Sequence, residues 1–104
     1  MKTKLGAKNL LFPMPTILVG ANVNGKPNYI TIAHCGIVAL SHISISLRKG
    51  RYTSSGIKEN GTFSVNIPSE EMVKETDYCG LFSGKDTDKS KLFQTFYGTL
   101  DTAP

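Results

Sequence analysis

Both arginines of the chain lie within four residues of each other, in the segment Leu47–Ser55. The hydroxyl residues Thr53, Ser54 and Ser55 end this segment at the expected start of a helix, where backbone N–H groups have no partner within the helix. Guanidinium groups, hydroxyl donors and the positive end of a helix dipole all favour a phosphate. The segment is therefore a candidate anion site. The alternative is a solvated basic loop with an ordinary Ser/Thr cap, since such caps are common.

A second candidate is the segment Asn28–Gly36, where Thr31 and Ala33 leave one strand face with little side-chain bulk. A flat ring can lie against such a face, although small residues also let two strands cross closely in a barrel. Adjacent strand residues point to opposite faces, so His34 and Cys35 cannot act together as base and nucleophile. We expect His34 at the edge of a site and Cys35 in packing.

The third candidate is Ser83–Lys91, a Ser-Gly turn followed by alternating charges. This loop can approach an anion, but such a run is also typical of a solvated loop. Its two aspartates lack the glycine and the distal glutamate of an EF-hand. No phosphate-binding loop, dinucleotide fingerprint or serine-nucleophile motif occurs, and Cys35 and Cys79 lack the spacing of a disulfide framework or a zinc site. We expect no metal and two reduced thiols.

The size and composition of the chain predict one small folded domain over residues 1–104. Leu, Ile, Val and Phe make up about a quarter of the residues, above the level at which chains stay disordered. The formal charge of +4 favours anionic partners, either phosphate-bearing ligands or nucleic acid. The longest apolar run, Gly36–Leu40, is far shorter than a membrane span, and the basic start lacks a signal cleavage site. The expectation is a soluble, cytoplasmic protein.

Alternation of apolar and polar residues predicts strands and tight turns in the first two thirds of the chain. Ile17–Val23 is predicted as a buried strand, and Asn24-Gly25 as a hairpin turn that leads to a return strand beginning near Tyr29. Ile43, Ile45 and Leu47 predict a strand with one buried face. A further strand is predicted over Phe63–Ile67.

Two helices are predicted between and after these strands. One spans Thr53–Asn60, with Thr53, Ser54 or Ser55 as its N-cap and Gly61 as a left-handed stop. The other is capped by Ser69, carries two glutamates in its first turn and runs to about Tyr78. The fold class is mainly β, an antiparallel barrel with short inserted helices. Only about four strands are visible, fewer than a closed barrel requires, so the domain is expected to be incomplete.

An ordered series of motifs between about Pro13 and Tyr97 resembles the flavin reductase-like proteins of the FMN-binding split-barrel group, which include the flavoredoxins. The motifs are Pro15–Val19, Asn28–Thr31, Ile43–Arg48, Arg51–Thr53, Ile57–Asn60, Phe63–Pro68, Cys79-Gly80 and Ser83–Lys89. The resemblance implies a six-stranded Greek-key split barrel with inserted helices, usually a homodimer with FMN near the subunit interface.

The resemblance also assigns the three candidate sites to parts of FMN. Along the flavin and its ribityl chain it places Asn28, Thr31, Ala33 and His34. At the phosphate it places Arg48, Arg51, Tyr52, Thr53 and Ser54, with Ser83 and Lys89 approaching from the later loop. Members of the family continue well beyond this length, and the chain resembles roughly their N-terminal half. Either the chain is truncated or another copy supplies the missing strands.

The function that the resemblance implies is that of a flavin reductase-like oxidoreductase. It passes electrons from NAD(P)H or another reductant through bound FMN to an acceptor, and no acid–base side chain is needed for hydride transfer. A free-flavin reductase and a protein electron carrier are both compatible, and the redox role of Cys79 stays open. The expected partners are a second copy, flavin, nicotinamide and an electron-transfer protein, with neither membrane nor nucleic acid.

Two alternatives belong to other classes of function. The first is a non-catalytic flavin-binding or dimerisation fragment. The second is a small basic β-barrel that binds nucleic acid, with Tyr29, Tyr52 and Phe63 as stacking platforms and the basic cluster of Arg48, Lys49 and Arg51 on phosphates. Against the second, Phe63 shares a strand face with Val65 and Ile67 and is expected in the core.

Overall fold

A computed structural model describes all 104 residues, Met1 to Pro104. The elements in chain order are strands β1 (Ile17–Val23), β2 (Lys26–Ile32), β3 (Cys35–Ala39) and β4 (His42–Ile45), helix α1 (Tyr52–Asn60), strand β5 (Ser64–Asn66), a 3-10 turn (Glu70–Met72) and helix α2 (Val73–Leu81). The strands form two antiparallel sheets, β2-β1-β5 and β3-β4, and no barrel closes. Neither helix has the length and apolar composition that crossing a bilayer would require.

The β1–β2 hairpin turns at Asn24-Gly25, as the sequence predicts. Both residues have positive φ, 52° and 77°, which is the conformation that a two-residue hairpin turn requires. The return strand begins at Lys26, earlier than the predicted start near Tyr29. Pro27 lies inside β2 because β2 is an edge strand, where a missing N–H donor leaves no ladder bond unmade.

Strand β1 is the centre of the core and is buried on both faces. On one face Ile17 and Val19 pack with Ile32 of β2, and on the other Leu18 packs with Tyr29 and Cys79. Helix α2 therefore covers the second face of β2 around Tyr29 and Thr31, whereas Ala33, beyond the end of the strand, stays exposed.

Helix α1 begins one residue earlier than predicted, and its predicted caps are wrong. The N-cap position is Arg51, and no side chain caps the helix. The hydroxyls of Thr53, Ser54 and Ser55 are engaged elsewhere: with Asn28 Nδ2, with the Arg48 carbonyl and with the Tyr52 carbonyl. The predicted left-handed stop is confirmed, since Gly61 has φ 68° and donates its N–H to the Ile57 carbonyl.

The β3–β4 hairpin projects from the core, which contradicts the predicted buried face. Strand β4 ends at Ile45, and Ile43 is 48% exposed. Its partner β3, which the sequence analysis did not identify, exposes Ile37 and Val38. Only the base of the hairpin contacts the core, because no third layer of this chain covers the two strands.

The elements after α1 are shorter or later than predicted. Strand β5 is limited to Ser64–Asn66, because it pairs with β1 over only three residues. Ser69 precedes the 3-10 turn without a side-chain cap bond, and α2 follows from Val73 to Leu81, past the predicted end at Tyr78.

The molecule exposes more surface than a self-contained protein of its mass. Its accessible area is 7901 Å², whereas a folded monomer of this mass exposes about 5,700 Å². The radius of gyration is 15.1 Å, against about 13 Å for a typical domain of this length. The projecting hairpin and the irregular residues before β1 carry much of this excess.

Gly56 lies on the buried face of α1 and lets the helix approach β1. A Cβ there would overlap the Asn22 carbonyl oxygen and lie 2.6 Å from Cγ2 of Val23. Overpacking costs about 1–3 kcal/mol, and Ala gains about 1 kcal/mol in helix propensity. Because the obstacle is backbone, the packing cost falls in the upper part of its range, and Gly56→Ala is expected to lower the free energy of unfolding by about 1–2 kcal/mol net in urea titrations followed by circular dichroism.

The matched control is Ser55→Ala, on the exposed face of the same helix. Its free energy of unfolding should stay within about 0.5 kcal/mol of the wild type. A Gly56→Ala protein as stable as the wild type would contradict the tight packing of α1 on β1.

Candidate functional site

A cleft of about 240 Å³ lies between the end of β2, the β4–α1 loop, the first turn of α1 and the end of α2 with its following loop. Nine of the eleven predicted site residues line it: Thr31, Ala33, His34, Arg48, Arg51, Tyr52, Thr53, Ser83 and Lys89. The three segments singled out by the sequence thus meet in one place, although they lie far apart along the chain.

One wall of the cleft is the end of β2, which α2 holds in place. The Thr31 hydroxyl donates to the Thr76 carbonyl of α2 at 2.5 Å. Gly80 passes so close to this wall that a Cβ there would lie 3.4 Å from the Thr31 Cβ. Beyond Thr31, Ala33 and His34 are exposed at the rim.

The other end of the cleft is cationic. Arg48 and Arg51 are exposed on either side of the turn that leads into α1, and the buried Lys89 lines the same cleft. No acidic side chain lines the cleft. Because the positive end of α1 also points here, the physical environment at this end favours an anion.

Lys89 is a buried lysine, with only 3% of its surface exposed. Its ammonium donates to the carbonyls of Tyr29 in β2 and Cys79 in α2, both at 3.1 Å. The pKa of Lys89 lies below its usual value. Burial is the largest cause; the neighbouring Cys79 acts against it, and Arg51 lowers the pKa further. The Cys79 carbonyl lies in the last turn of α2, where carbonyls lack helical partners and a cation is favourable. Lys89 therefore joins the later loop to two walls of the cleft.

Two predicted site residues, Asn28 and Ser54, do not line the cleft. Asn28 is 4% exposed, and its amide donates to the Thr53 hydroxyl at 2.7 Å, which ties β2 to the first turn of α1. The Ser54 hydroxyl donates to the Arg48 carbonyl at 3.2 Å. Asn28 and Ser54 therefore support the lining residues Thr53 and Arg48 through hydrogen bonds without lining the cleft themselves.

Comparison with known proteins gives the family. Residues 9–104 match the family described as "Flavin reductase like domain". The chain belongs to the flavin reductase-like family.

Two solved structures of family members are similar to this chain. A flavoredoxin from Methanosarcina acetivorans is 47% identical with a TM-score of 0.90, covering 100% of this chain and 57% of its own. A flavoredoxin of Desulfovibrio vulgaris (Miyazaki F) is 41% identical with a TM-score of 0.76, covering 86% of this chain and 50% of its own. The fold is therefore split-barrel-like and mainly β, as the resemblance implied.

An uncharacterised protein of Archaeoglobus fulgidus is 35% identical over 83 residues, covering 76% of this chain and 45% of that protein. The chain spans about half the length of these three relatives.

The sequence analysis missed several residues that line the cleft of this family member. Ser46 and Leu47 precede Arg48, Gly80 lies in the last turn of α2, and Phe82 and Gly84 follow the helix. A signal for Gly84 was present in the Ser-Gly turn: a Cβ there would overlap the Asn28 amide oxygen and the Tyr52 ring. The loop can pass between Asn28 and Tyr52 only with glycine at position 84, because any side chain there would overlap them.

The nucleic-acid alternative requires exposed aromatic platforms, which the structure contradicts at Tyr29. That side chain is 4% exposed and packs edge-to-face on Phe93, with ring centroids 5.1 Å apart. Phe63 packs against the core, as the sequence analysis expected, and Tyr52 is half-buried at the cleft. These aromatics do not form an open stripe.

Cys79 lies behind the cleft with 2% of its surface exposed. The pKa of its thiol lies above its usual value. Burial is the largest cause; the Lys89 ammonium acts against it, and Glu75 raises the pKa further. Since the thiolate is the reactive form, both burial and the raised pKa make Cys79 a poor nucleophile.

We predict that iodoacetamide labels Cys79 at least about tenfold more slowly than the half-buried Cys35 in the folded protein at pH 8, because the thiol is inaccessible and protonated. Mass spectrometry of the two cysteine peptides over time measures both rates. In denaturant the two rates should become similar. Fast native labelling of Cys79 would contradict its burial against β2.

Proposed function

We propose that the chain binds FMN in this cleft and acts as a flavoprotein oxidoreductase. The observation that carries the proposal is the shape and charge of the cleft. At one end the lining residues Thr31 and Ala33 have small side chains, and at the other end Arg48 and Arg51 are cationic, with no carboxylate in the lining. A molecule with a flat ring at one end and a phosphate at the other matches both ends.

The residues present fit the two ends of FMN. At the cationic end, the two guanidinium groups and the start of α1 would offer donors to a phosphate. At the opposite end, the lining residues Thr31, Ala33 and Gly80 have small side chains, which would leave room for a flat ring. Asn28 and Lys89 would hold these two walls at a fixed separation.

The size of the cleft supports a shared site. At about 240 Å³ it falls below the range of about 300–1,000 Å³ that is usual for pockets enclosing a drug-sized ligand. This chain would therefore hold one side of the cofactor, and a second copy or a further part of a longer protein would cover the other.

The chemistry that bound FMN would supply here is two-electron redox chemistry, with a reductant such as NAD(P)H as the hydride donor and an acceptor for the electrons. The chain would contribute binding, orientation and a positive field. Hydride transfer itself needs no acid–base side chain, and the one imidazole in the lining, His34, lies at the exposed rim. The similarity to proteins named flavoredoxin supports this role. The acceptor would be a free flavin or an electron-transfer protein.

We also propose that the chain forms a homodimer through the β3–β4 hairpin. The molecule exposes about 2,200 Å² more than a self-contained monomer of its mass, and a stable interface needs about 800 Å² per partner. Ile37, Val38 and Leu40 are 84%, 67% and 110% exposed, so the hairpin presents a group of neighbouring apolar side chains to a partner.

The first test is titration of the purified protein with FMN and with riboflavin, followed by visible absorption. FMN should bind more tightly, because riboflavin lacks the phosphate. Arg51→Met should weaken FMN binding about 10- to 100-fold, the value of one or two charge-assisted hydrogen bonds, and leave riboflavin binding unchanged.

Lys58→Met is the matched control, because Lys58 is an exposed cation in the last turn of the same helix. Its FMN affinity should equal that of the wild type. Absence of flavin binding by the folded protein would overturn the proposal. FMN binding without reduction by any nicotinamide would instead favour the non-catalytic flavin-binding alternative.

The dimer is tested by light scattering after gel filtration. The wild type should have about twice the monomer mass, and Ile37→Asp should be monomeric because a buried charge is costly. Ile67→Asp is the control, since Ile67 is equally apolar and 74% exposed but lies outside the hairpin. A wild-type monomer, or a dimer that survives Ile37→Asp, would contradict this interface.

A further inference from the structure

A second cavity lies beside helix α2 and is not used by the proposed FMN site. It has a volume of about 420 Å³ and is enclosed by the start of β1, the end of β2 and the segment from Pro68 through α2. This volume falls within the range of about 300–1,000 Å³ that is usual for ligand pockets. We call the cavity the α2 groove. It shares only Thr31 and Gly80 with the lining of the cleft.

The charge of the α2 groove is the reverse of that of the cleft. Its charged lining residues are two exposed carboxylates, Glu70 of the 3-10 turn and Asp77 of α2, and no basic side chain lines it. Neither carboxylate lines the cleft. Because like charges act together and no cation compensates them within the lining, the groove favours a cationic ligand.

The spacing of the two carboxylates selects the shape of that ligand. The 3-10 turn leads directly into α2, and Glu70 and Asp77 lie seven residues apart along this segment. The rise per residue separates them by roughly 10–12 Å along the helix axis. Val73 lies between them, lines the groove and is 62% exposed. A ligand that matches this pattern has a cation at each end and an aliphatic chain in the middle.

Thr76 contributes a polar group that the protein itself does not satisfy. This lining residue is 8% exposed, and its hydroxyl oxygen has no hydrogen-bond partner. Buried hydroxyl groups are normally paired, because leaving one unpaired is costly. A threonine in a helix has two accessible χ1 rotamers, so this hydroxyl can turn to meet a donor in the groove.

We propose that the α2 groove binds an aliphatic polyamine, with one terminal ammonium group on Glu70 and the other on Asp77. The methylene chain would pack along Val73, and a further N–H group of the ligand would donate to the Thr76 hydroxyl. The inference goes beyond the proposed function and does not depend on it, since neither carboxylate lines the cleft.

Other cations match the groove less well. A metal ion cannot bridge carboxylates this far apart, and no group of three metal-ligating side chains occurs in the protein. The lysines near the N-terminus of a second copy are the main competing occupant. A lysine side chain carries one cation at the end of its aliphatic stem, so it meets one carboxylate, whereas a polyamine joins two cations through one thin chain.

The test is a calorimetric titration of the flavin-free protein with spermidine, with the backbone amide NMR signals followed in parallel. Spermidine should shift the signals of Glu70, Val73 and Asp77 to saturation and leave the Asn24-Gly25 turn unchanged. Diaminobutane is too short to span both carboxylates, and butylamine has one cation, so each should bind at least about fivefold more weakly. Magnesium chloride at equal ionic strength should not reproduce the shifts.

Variants test the individual contacts. Glu70→Gln and Asp77→Asn should each weaken spermidine binding about three- to tenfold, because each removes one of the two ion pairs. The matched control is Glu71→Gln, since Glu71 is exposed on the same 3-10 turn but does not line the groove. Its affinity for spermidine should equal that of the wild type.

Thr76→Val separates a binding role from a structural one. It replaces the unpaired hydroxyl with a methyl group, so the free protein should be as stable as the wild type or more stable. Spermidine binding should nevertheless fall. Unchanged spermidine binding by this variant would contradict the role of the Thr76 hydroxyl.

Three results would overturn the proposal as a whole: no binding of spermidine at millimolar concentrations, equal binding of spermidine and diaminobutane, or Glu70→Gln and Asp77→Asn proteins that bind like Glu71→Gln. Shifts that follow protein concentration instead of spermidine would also overturn it, because a second copy would then occupy the groove. Failure of the proposed function is a different result, namely no FMN binding in the titration of the wild type.

Discussion

The structure depends on one strand that is buried on both faces. Side chains of β1 enter two separate apolar clusters, with Ile17 and Val19 on one face and Leu18 on the other. A shift of one residue in register would exchange these faces, so the pairing with β2 and β5 is strongly specified. The position of β2 then sets Thr31 and Ala33 as one wall of the cleft. Gly56 brings α1 against the backbone of the same central strand.

The remaining walls are tied to β2 by buried polar contacts. Asn28 holds the first turn of α1 through Thr53, and Lys89 holds the later loop through the Tyr29 carbonyl. Such bonds are strong in a poorly solvated interior, and a buried group left unpaired is costly. The cationic end of the cleft is therefore built on fixed elements, although Arg48 and Arg51 are themselves exposed.

Features decided by neighbouring residues were predictable from the sequence, and features decided at a distance were not. The Asn24-Gly25 turn and the stop at Gly61 follow from local backbone conformation, and both were confirmed. The predicted N-cap of α1 was wrong because the Thr53 hydroxyl instead accepts a hydrogen bond from Asn28, 25 residues away. Alternation in β4 indicated a strand but contained no information on whether another layer would cover it.

The candidate site shows the same division. Sequence motifs selected segments that do converge, yet nothing local distinguishes a lining residue from one that supports it. Asn28 and Ser54 belong to the second kind. Lys89 lies in a run of alternating charges that is typical of a solvated loop, and only the tertiary fold places its ammonium against two carbonyls. The roles of the lining residues toward a ligand stay predictions.

The net charge of the whole chain understates the field at the cleft. Strands β1 to β4, the β4–α1 loop and most of α1 come from the first 58 residues, which contain no acidic side chain. The acidic residues lie later in the chain, and none of them lines the cleft. A low-dielectric hollow lined by one sign of charge concentrates the potential within it. Anionic ligands would therefore be drawn to this side of the molecule from solution, in a manner that falls with ionic strength. The same charge opposes close approach of two such faces, so a second copy would dock most readily through the uncharged β3–β4 hairpin.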